Sequence, residues 1–283
     1  MIYVYWLFIL VLVQINIKGC SLFGSMHEEP ADKTSSFTIF KKLYEDNLAE
    51  FQTHKVSSPK IPLKIHQIWI GPAKLPEKFI WMMDTWKTKN PNFEYRLWTN
   101  EDIEAFGLEN KDLFEKVSNW GAKSDIFRYE ILYRYGGIYI DVDFECLTSL
   151  EPLHCKFEFY SCLIPTTSVA ANGVIGSCSG HPILRDCIDK LKSVDLVNSN
   201  DYFEIMMKLG PYFLTDSIIR FLDRSSSEFV HDKVLILGSK YFFPFPSNLR
   251  FDYRKGLISR SKILSFVKSE SYAIHYWANS WQE

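Results

Sequence analysis

A chain of 283 residues, 47% hydrophobic and 23% charged, has an ordinary globular composition. Its length suits one large α/β domain or two smaller ones. A formal net charge of −2 excludes the strong basic excess on which general nucleic-acid binding depends. Aromatic residues reach 16%, most of them core material, and a surplus of flat faces suits bases and sugar rings. The six cysteines (Cys20, Cys146, Cys155, Cys162, Cys178 and Cys187) form no CxxC pair and show no metal-ligand spacing. Buried free thiols, or one or two disulfides in an exported domain, both satisfy that pattern.

From Met1 to Ile17 the chain carries no charge, and Lys18 ends the run. This stretch lies at the short limit for a spanning helix, which needs about 17–25 residues, and is long for the apolar part of a signal peptide. No basic residue precedes it, so flanking charge does not set an orientation. Residues 1–20 are read as a membrane anchor or export signal, with a buried core helix as the alternative; there is no second long apolar run and hence no polytopic domain. Lys18-Gly19-Cys20 is only faintly like a lipoprotein cleavage site.

Residues 21–60 are polar and read as a stem or linker interrupted by one helix near Phe37–Phe51. IPLKIHQIWIG (Ile61–Gly71) reads as a buried strand stopped by Gly71-Pro72. A helix is expected over Glu77–Lys89 and a strand over Phe93–Thr99. Asn100, Glu101 and Asp102 then give the acidic opening of another helix. Ser124–Tyr135 reads as a helix capped by Ser124, with Phe127, Ile131 and Tyr135 on one face and Gly136-Gly137 closing it. IYIDVDF follows as a strand. Further along come a strand in Phe157–Pro165, a turn at Asn172-Gly173, a helix opened by His181-Pro182, a shorter helix over Thr215–Asp223, and the strand VLILG (Val234–Gly238). Strands alternating with helices predict a largely parallel sheet flanked by helices.

Two carboxylates, Asp141 and Asp143, stand two residues apart at the end of the IYI run, where alternation would point them to one face. Ligands of an α/β sheet gather at such strand ends. Paired hard oxygens suit a divalent cation such as Mg²⁺ or Mn²⁺, completed by water and substrate phosphates; a solvated strand end is the plainer alternative. Asp125 and Arg128, three residues apart, share a helix face that feeds through Gly136-Gly137 into this strand. They read either as an intrahelical ion pair or as a contribution to the same site, with Arg128 on a phosphate and Asp125 on sugar hydroxyls. A strand followed by DxD also opens a class of phosphatases with an aspartyl nucleophile, but Phe144-Glu145 follow here and no Gly-Asp pair occurs later.

AKSDIFRYEILYRYGGIYIDVDFECL (Ala122–Leu147) closely resembles the signature of glycosyltransferases with a DXD-containing sugar-binding region. That family includes fungal Golgi mannosyltransferases, inositol-phosphoceramide mannosyltransferases and bacterial polysaccharide enzymes, and is related to the catalytic part of large glucosylating toxins. IPLKIHQIWIG, NPNFEYRLWTNEDI, ANGVIGSCSGHP, LGPYFLTD and HYWANSW agree in order, so the resemblance runs from Ile61 to Trp281. It implies a GT-A type, Rossmann-like nucleotide-sugar-binding fold over residues 61–283 and a retaining transferase using Mn²⁺ or Mg²⁺. Asp141 and Asp143 take the DXD positions. Asp125 and Arg128 match positions holding the donor sugar and its phosphate. Trp69 matches an aromatic that stacks on the base, although a core tryptophan fits that strand equally. Asn172 is placed in the sugar pocket, Ser280 and Trp281 at the diphosphate, and His275 as a third metal ligand or a satisfied polar group. Leu209 stands where a threonine is common and Tyr212 is bulky, which bears on substrate preference rather than reaction class.

The resulting expectation is a metal-dependent hexosyltransferase moving sugar from a UDP- or GDP-linked donor to a glycan or glycolipid acceptor. It would be tethered through residues 1–17, in the secretory pathway of a eukaryote or the envelope of a bacterium. A DxD phosphohydrolase and a non-catalytic, membrane-tethered carbohydrate-binding module are the rival readings.

Overall fold

The computed structural model describes residues 35–53, 58–195, 201–224 and 233–278. A six-stranded sheet forms its centre, built from β1 (Lys64–Ile68), β2 (Glu94–Trp98), β3 (Gly137–Ile140), β5 (Phe159–Cys162), β6 (Val174–Ser177) and β7 (Val234–Leu237). The strand order is β2-β1-β3-β6-β5-β7. β1 runs parallel to both β2 and β3, and β5 runs parallel to β7. Only β6 is reversed, pairing antiparallel with β3 and β5. The expected α/β class with a mostly parallel sheet flanked by helices is therefore present.

The helix expected at Glu77–Lys89 has those bounds, and the strands at 61–71, 93–99, 157–165 and 234–238 have the expected cores. Short β6 follows directly on the Asn172-Gly173 turn, and its four residues are too few for alternation to mark a strand in the sequence. The helix Thr215–Asp223 is longer than expected and begins at Pro211, as proline at a first helical position permits.

Two local readings are corrected. The helix carrying Asp125 begins at Trp120, and Asn119 caps it by accepting a hydrogen bond from the Ala122 N–H. Ser124 lies inside that helix, where its carbonyl receives the Arg128 Nε–H at 3.2 Å. The second correction concerns IYIDVDF, which is two strands rather than one. β3 stops at Ile140; Asp141 to Phe144 form a turn in which the Phe144 N–H donates to the Asp141 carbonyl at 3.3 Å. The chain then leaves the main sheet as β4 (Phe144–Cys146) and pairs antiparallel with β8 (Ala273–His275). The Trp86 indole fixes this departure by donating to the Phe144 carbonyl at 2.8 Å.

The stretch read as stem contributes to the core. The helix Ser35–Asp46 buries Phe37, Phe40, Leu43 and Tyr44, and the Tyr44 hydroxyl meets that of Tyr241 at 2.8 Å. A second, smaller apolar cluster gathers Met82, Met83, Val142, Phe245, Ile274 and Tyr276 around the β4–β8 pair. Cys146, Cys155, Cys162, Cys178 and Cys187 are free thiols. Among the described residues no helix is long and apolar enough to cross a membrane. Residues 1–20, and the site candidates Ser280 and Trp281, lie outside the described residues.

Candidate functional site

A cleft of about 570 Å³ opens at the ends of β1 and β3 and is lined by Trp69, Asp125, Arg128, Asp141, Asp143, Asn172 and His275. Every candidate singled out within the described residues thus reaches one cavity. The β1 and β3 ends form its floor, as the strand-end rule for α/β sheets requires.

The approach of the Trp120–Tyr135 helix to β3 depends on Gly136 and Gly137, both with positive φ (61° and 100°). A Cβ on Gly137 would stand 2.6 Å from the Lys64 carbonyl oxygen, so only glycine lets β3 lie this close to β1. His66 closes the junction. Its Nδ1 accepts from the Trp98 indole N–H at 3.1 Å, and its Nε2 lies 2.9 Å from the Gly136 carbonyl. Because an indole only donates, His66 is the Nε2–H tautomer and donates to that carbonyl. Burial pushes its pKa down to about 4, which keeps the ring neutral.

One side of the cleft is a continuous hydrogen-bonded network. Arg128 pairs with Asp125 (Nη2 to Oδ1, 3.0 Å), donates to the Asn172 carbonyl (2.8 Å), and reaches Asp141 Oδ1 at 3.6 Å. The Asn172 side-chain amide donates to Asp125 Oδ1 at 2.8 Å. The guanidinium lies over the Tyr139 ring, 4.3 Å from its centre, and the Tyr139 hydroxyl donates to Asp141 Oδ1 at 2.6 Å. Arg128 thus has Nε, Nη1 and Nη2 each in contact with a protein oxygen, which fixes Asp125 and the Asn172 carbonyl beside it. Burial pushes the Asp125 carboxyl up to about 6; Arg128 opposes this, Asp141 reinforces it, and the Asn172 amide opposes it. Burial also raises Asp141, against the pull of Arg128 and with the repulsion of Asp143.

Asp143 has a different setting. Its Oδ2 accepts the Ala278 N–H at 2.8 Å and lies 3.1 Å from His275 Nε2. Burial would raise this carboxyl, but His275 and backbone N–H groups together hold it below the usual value. His275 is stacked on Phe144, with ring centres 4.4 Å apart, and its buried Nδ1 meets no hydrogen-bond partner among the described residues. Donor atoms of Asp141, Asp143 and His275 all lie within 4.8 Å of one another. Two carboxylates and an imidazole form a hard O/N donor set that fits Mn²⁺ or Mg²⁺.

Trp69 sits just past the end of β1, half-buried, with its indole N–H donating to the Ala73 carbonyl at 2.8 Å. One face borders Phe79 and the side chain lines the cleft. Three further residues contribute to the site. Tyr139 and Gln67 act on Asp141, the latter by donating to its carbonyl at 3.2 Å. The third, Gly173, lies so near that a Cβ there would stand 2.5 Å from Asp141 Oδ2. The alternation of β3 puts Tyr139 on the face of Asp141 and could have been read; the contacts of Gln67 and Gly173 are long-range and leave no local signal.

Residues 76–160 match the family model described as the glycosyltransferase sugar-binding region containing the DXD motif. The chain is 30% identical over 178 residues to inositol phosphoceramide mannosyltransferase 3 of Schizosaccharomyces pombe, a match covering 60% of this chain and 48% of that protein. It is 28% identical over 221 residues to inositol phosphoceramide mannosyltransferase 1 of the same yeast, covering 74% and 66%. The aligned regions thus span between about half and two thirds of those relatives' lengths. Among solved structures, the PaToxG glycosyltransferase superposes with a TM-score of 0.50 at 16% identity, covering 84% of this chain and 97% of that one, a likeness of fold. The resemblance to glycosyltransferases with a DXD-containing sugar-binding region, first read from Ala122–Leu147, is borne out by the family match across residues 76–160.

Proposed function

We propose that this chain is a retaining glycosyltransferase that moves a hexose from a nucleoside-diphosphate sugar to a glycolipid acceptor. The observation that carries the reading is the meeting of the Asp125–Arg128–Asp141 network with the Asp143–His275 pair in one cleft. Asp141, Asp143 and His275 would hold a divalent cation, Mn²⁺ or Mg²⁺, which when bound offsets charge on the diphosphate.

The remaining roles belong to the chain's own residues. Trp69 offers a ring to the base. Asp125, ionised above about pH 6, accepts hydrogen bonds from sugar hydroxyls, and Arg128 holds Asp125 and Asn172 in place for that task. The bond from the anomeric carbon to the phosphate oxygen breaks with its electron pair leaving on the diphosphate. The acceptor oxygen bonds to the same face of the anomeric carbon, and its proton passes to the departing phosphate. Ser280 and Trp281 are proposed at the diphosphate, residues 1–20 as the tether or export signal, residues 21–60 as a stem whose helix Ser35–Asp46 packs into the core, and residues 61–283 as the catalytic domain. The names of the yeast relatives support mannose as the sugar and an inositol-bearing phosphoceramide as the acceptor; residence in a secretory compartment is proposed together with the tether.

The test is a screen of UDP- and GDP-hexoses, mannose included, following nucleotide release and sugar transfer with and without Mn²⁺. Metal-dependent transfer with retained anomeric configuration is expected. Release of phosphate from a phosphomonoester without any sugar donor, or sugar binding without turnover, would replace this reading with one of its rivals.

A further inference from the structure

One cation lining the cleft takes no part in the network around Arg128. Arg250 opens the short helix Arg250–Arg254, and its guanidinium borders the same cavity as Asp143 and His275. Its Nη1 donates to the Ser247 carbonyl at 2.9 Å, yet its Nε is buried and meets no acceptor among the described residues. The described ion pairs do not include it, whereas Arg128 has two carboxylate partners. A half-buried guanidinium that lines a cavity without a carboxylate partner among the described residues keeps its outer N–H groups for whatever enters.

The surroundings state what kind of molecule that is. The Arg250 guanidinium lies 4.3 Å from the centre of the Phe251 ring, and that side chain is 52% exposed. Burial raises the Tyr202 phenol, with nearby Arg250 opposing the shift and Tyr212 adding to it. Tyr202 lines the cleft, and its neighbour Phe203 is 65% exposed. Phe203 and Met207, four residues apart on the Tyr202–Lys208 helix, share a face and are both exposed. Exposed Phe203, Met207, Tyr212 and Phe251 each directly follow a cleft-lining residue, Tyr202, Met206, Pro211 and Arg250 respectively, which gives this part of the cleft an apolar rim. Such a rim suits the apolar part of a ligand whose charged part reaches Arg250.

Resting on the transferase reading above, we propose that Arg250 selects an acceptor bearing a phosphodiester beside its lipid portion. The guanidinium takes the phosphate oxygens, and Phe203, Met207, Tyr212 and Phe251 take the start of the apolar tail. The acceptor hydroxyl is thereby brought to the donor from the side of the cleft remote from the Asp125 network in sequence and element.

The inference is tested by equilibrium binding to the full chain without a sugar donor. The probes are dihexanoylphosphatidylglycerol, uncharged dihexanoylglycerol, which lacks the phosphodiester, and inorganic phosphate, read by calorimetry. The wild type is expected to bind the phosphatidylglycerol about tenfold more tightly than the dihexanoylglycerol, in line with one charge-assisted contact. Arg250→Gln should erase that preference and Arg250→Lys should restore part of it, with melting temperatures reporting that both variants fold. A double change, Phe203→Ser with Phe251→Ser, should weaken both lipids and leave their ratio intact. An unchanged preference in Arg250→Gln overturns the proposal. Inorganic phosphate binding as tightly as the lipid overturns it in favour of a plain anion site, and nucleotide release lost in Arg250→Gln with lipid binding intact overturns it in favour of a donor role. Because binding is read without a donor, a chain that binds as expected but never releases nucleotide refutes the transferase reading alone.

Discussion

The two carboxylates of the DXD turn, Asp141 and Asp143, stand two residues apart in opposite surroundings. Asp141 is tied to β3 and its neighbours: Tyr139 donates to it, Arg128 lies beside it, and Gly173 leaves room for it. Asp143 faces the far end of the chain, held by the Ala278 N–H and His275. Burial wins at Asp141, whose pKa is raised, and loses at Asp143, whose pKa is lowered. Asp143 thus enters the site as a carboxylate, the form a cation needs, while Asp141 gains from a cation more than it has gained from the protein. The asymmetry teaches that one half of the site is set by the sheet and the other half by the closing strand.

Replacing the C-terminal partner's anchor should do most damage. Asp143→Ala removes a low-pKa ligand and leaves His275 without its partner, so transfer should fall by about a thousandfold or more. Mn²⁺ titration of the variant checks that the loss is one of metal binding, and chelation of wild-type protein should imitate it. Full activity in Asp143→Ala would remove this residue from the metal site.

Asp125→Asn comes next, with an expected loss of about a hundredfold in kcat/KM. Its pH profile is the sharper readout. Wild-type activity should fall as pH drops through about 6, where Asp125 takes up its proton, and the variant should lack that limb. Stability should move the other way. A carboxyl with a raised folded pKa binds its proton more tightly in the native state, so its contribution is complete below about pH 4 and is lost as pH rises through 6. The ionised form that serves the donor is the form the fold tolerates less well, and thermal melts of wild type and Asp125→Asn across pH 4–7 measure it.

Gly173→Ala probes the Asp141 half alone. A Cβ would meet Asp141 Oδ2 at 2.5 Å, and the carboxylate, being the end of a side chain, can swing away. The expected result is about a tenfold weaker Mn²⁺ affinity with a melting temperature close to wild type. Tyr139→Phe is the mildest. It deletes the 2.6 Å hydrogen bond to Asp141, worth about 1 kcal/mol, so activity should drop by less than about tenfold.

Legibility in the sequence follows the same division. Asp125, Arg128, Asp141 and the Gly136-Gly137 turn lie within one continuous helix–turn–strand segment, so local spacing exposes them. Their strand-based justification was nevertheless incomplete, since Asp143 owes its orientation to a turn and to pairing with β8 rather than to strand alternation. His66 and Gln67 sit inside a run that reads as an ordinary buried strand, and only contacts across the sheet reveal what they hold. Arg250 lies in a segment with little periodic signal. What marks it is a missing bond in three dimensions, which no sequence pattern records.

The antiparallel pairing of β4 with β8 also orders events in time. The Ala278 N–H and the Asp143 carboxylate it serves are 135 residues apart, and closing so long a loop is among the slower, later steps of folding. A growing chain emerging N-terminus first builds the Asp125–Arg128–Asp141 side well before His275 has been synthesised. Until β8 docks, such an intermediate has half of the proposed metal site, and the proposed donor chemistry stays silent until the rest of the fold stands ready.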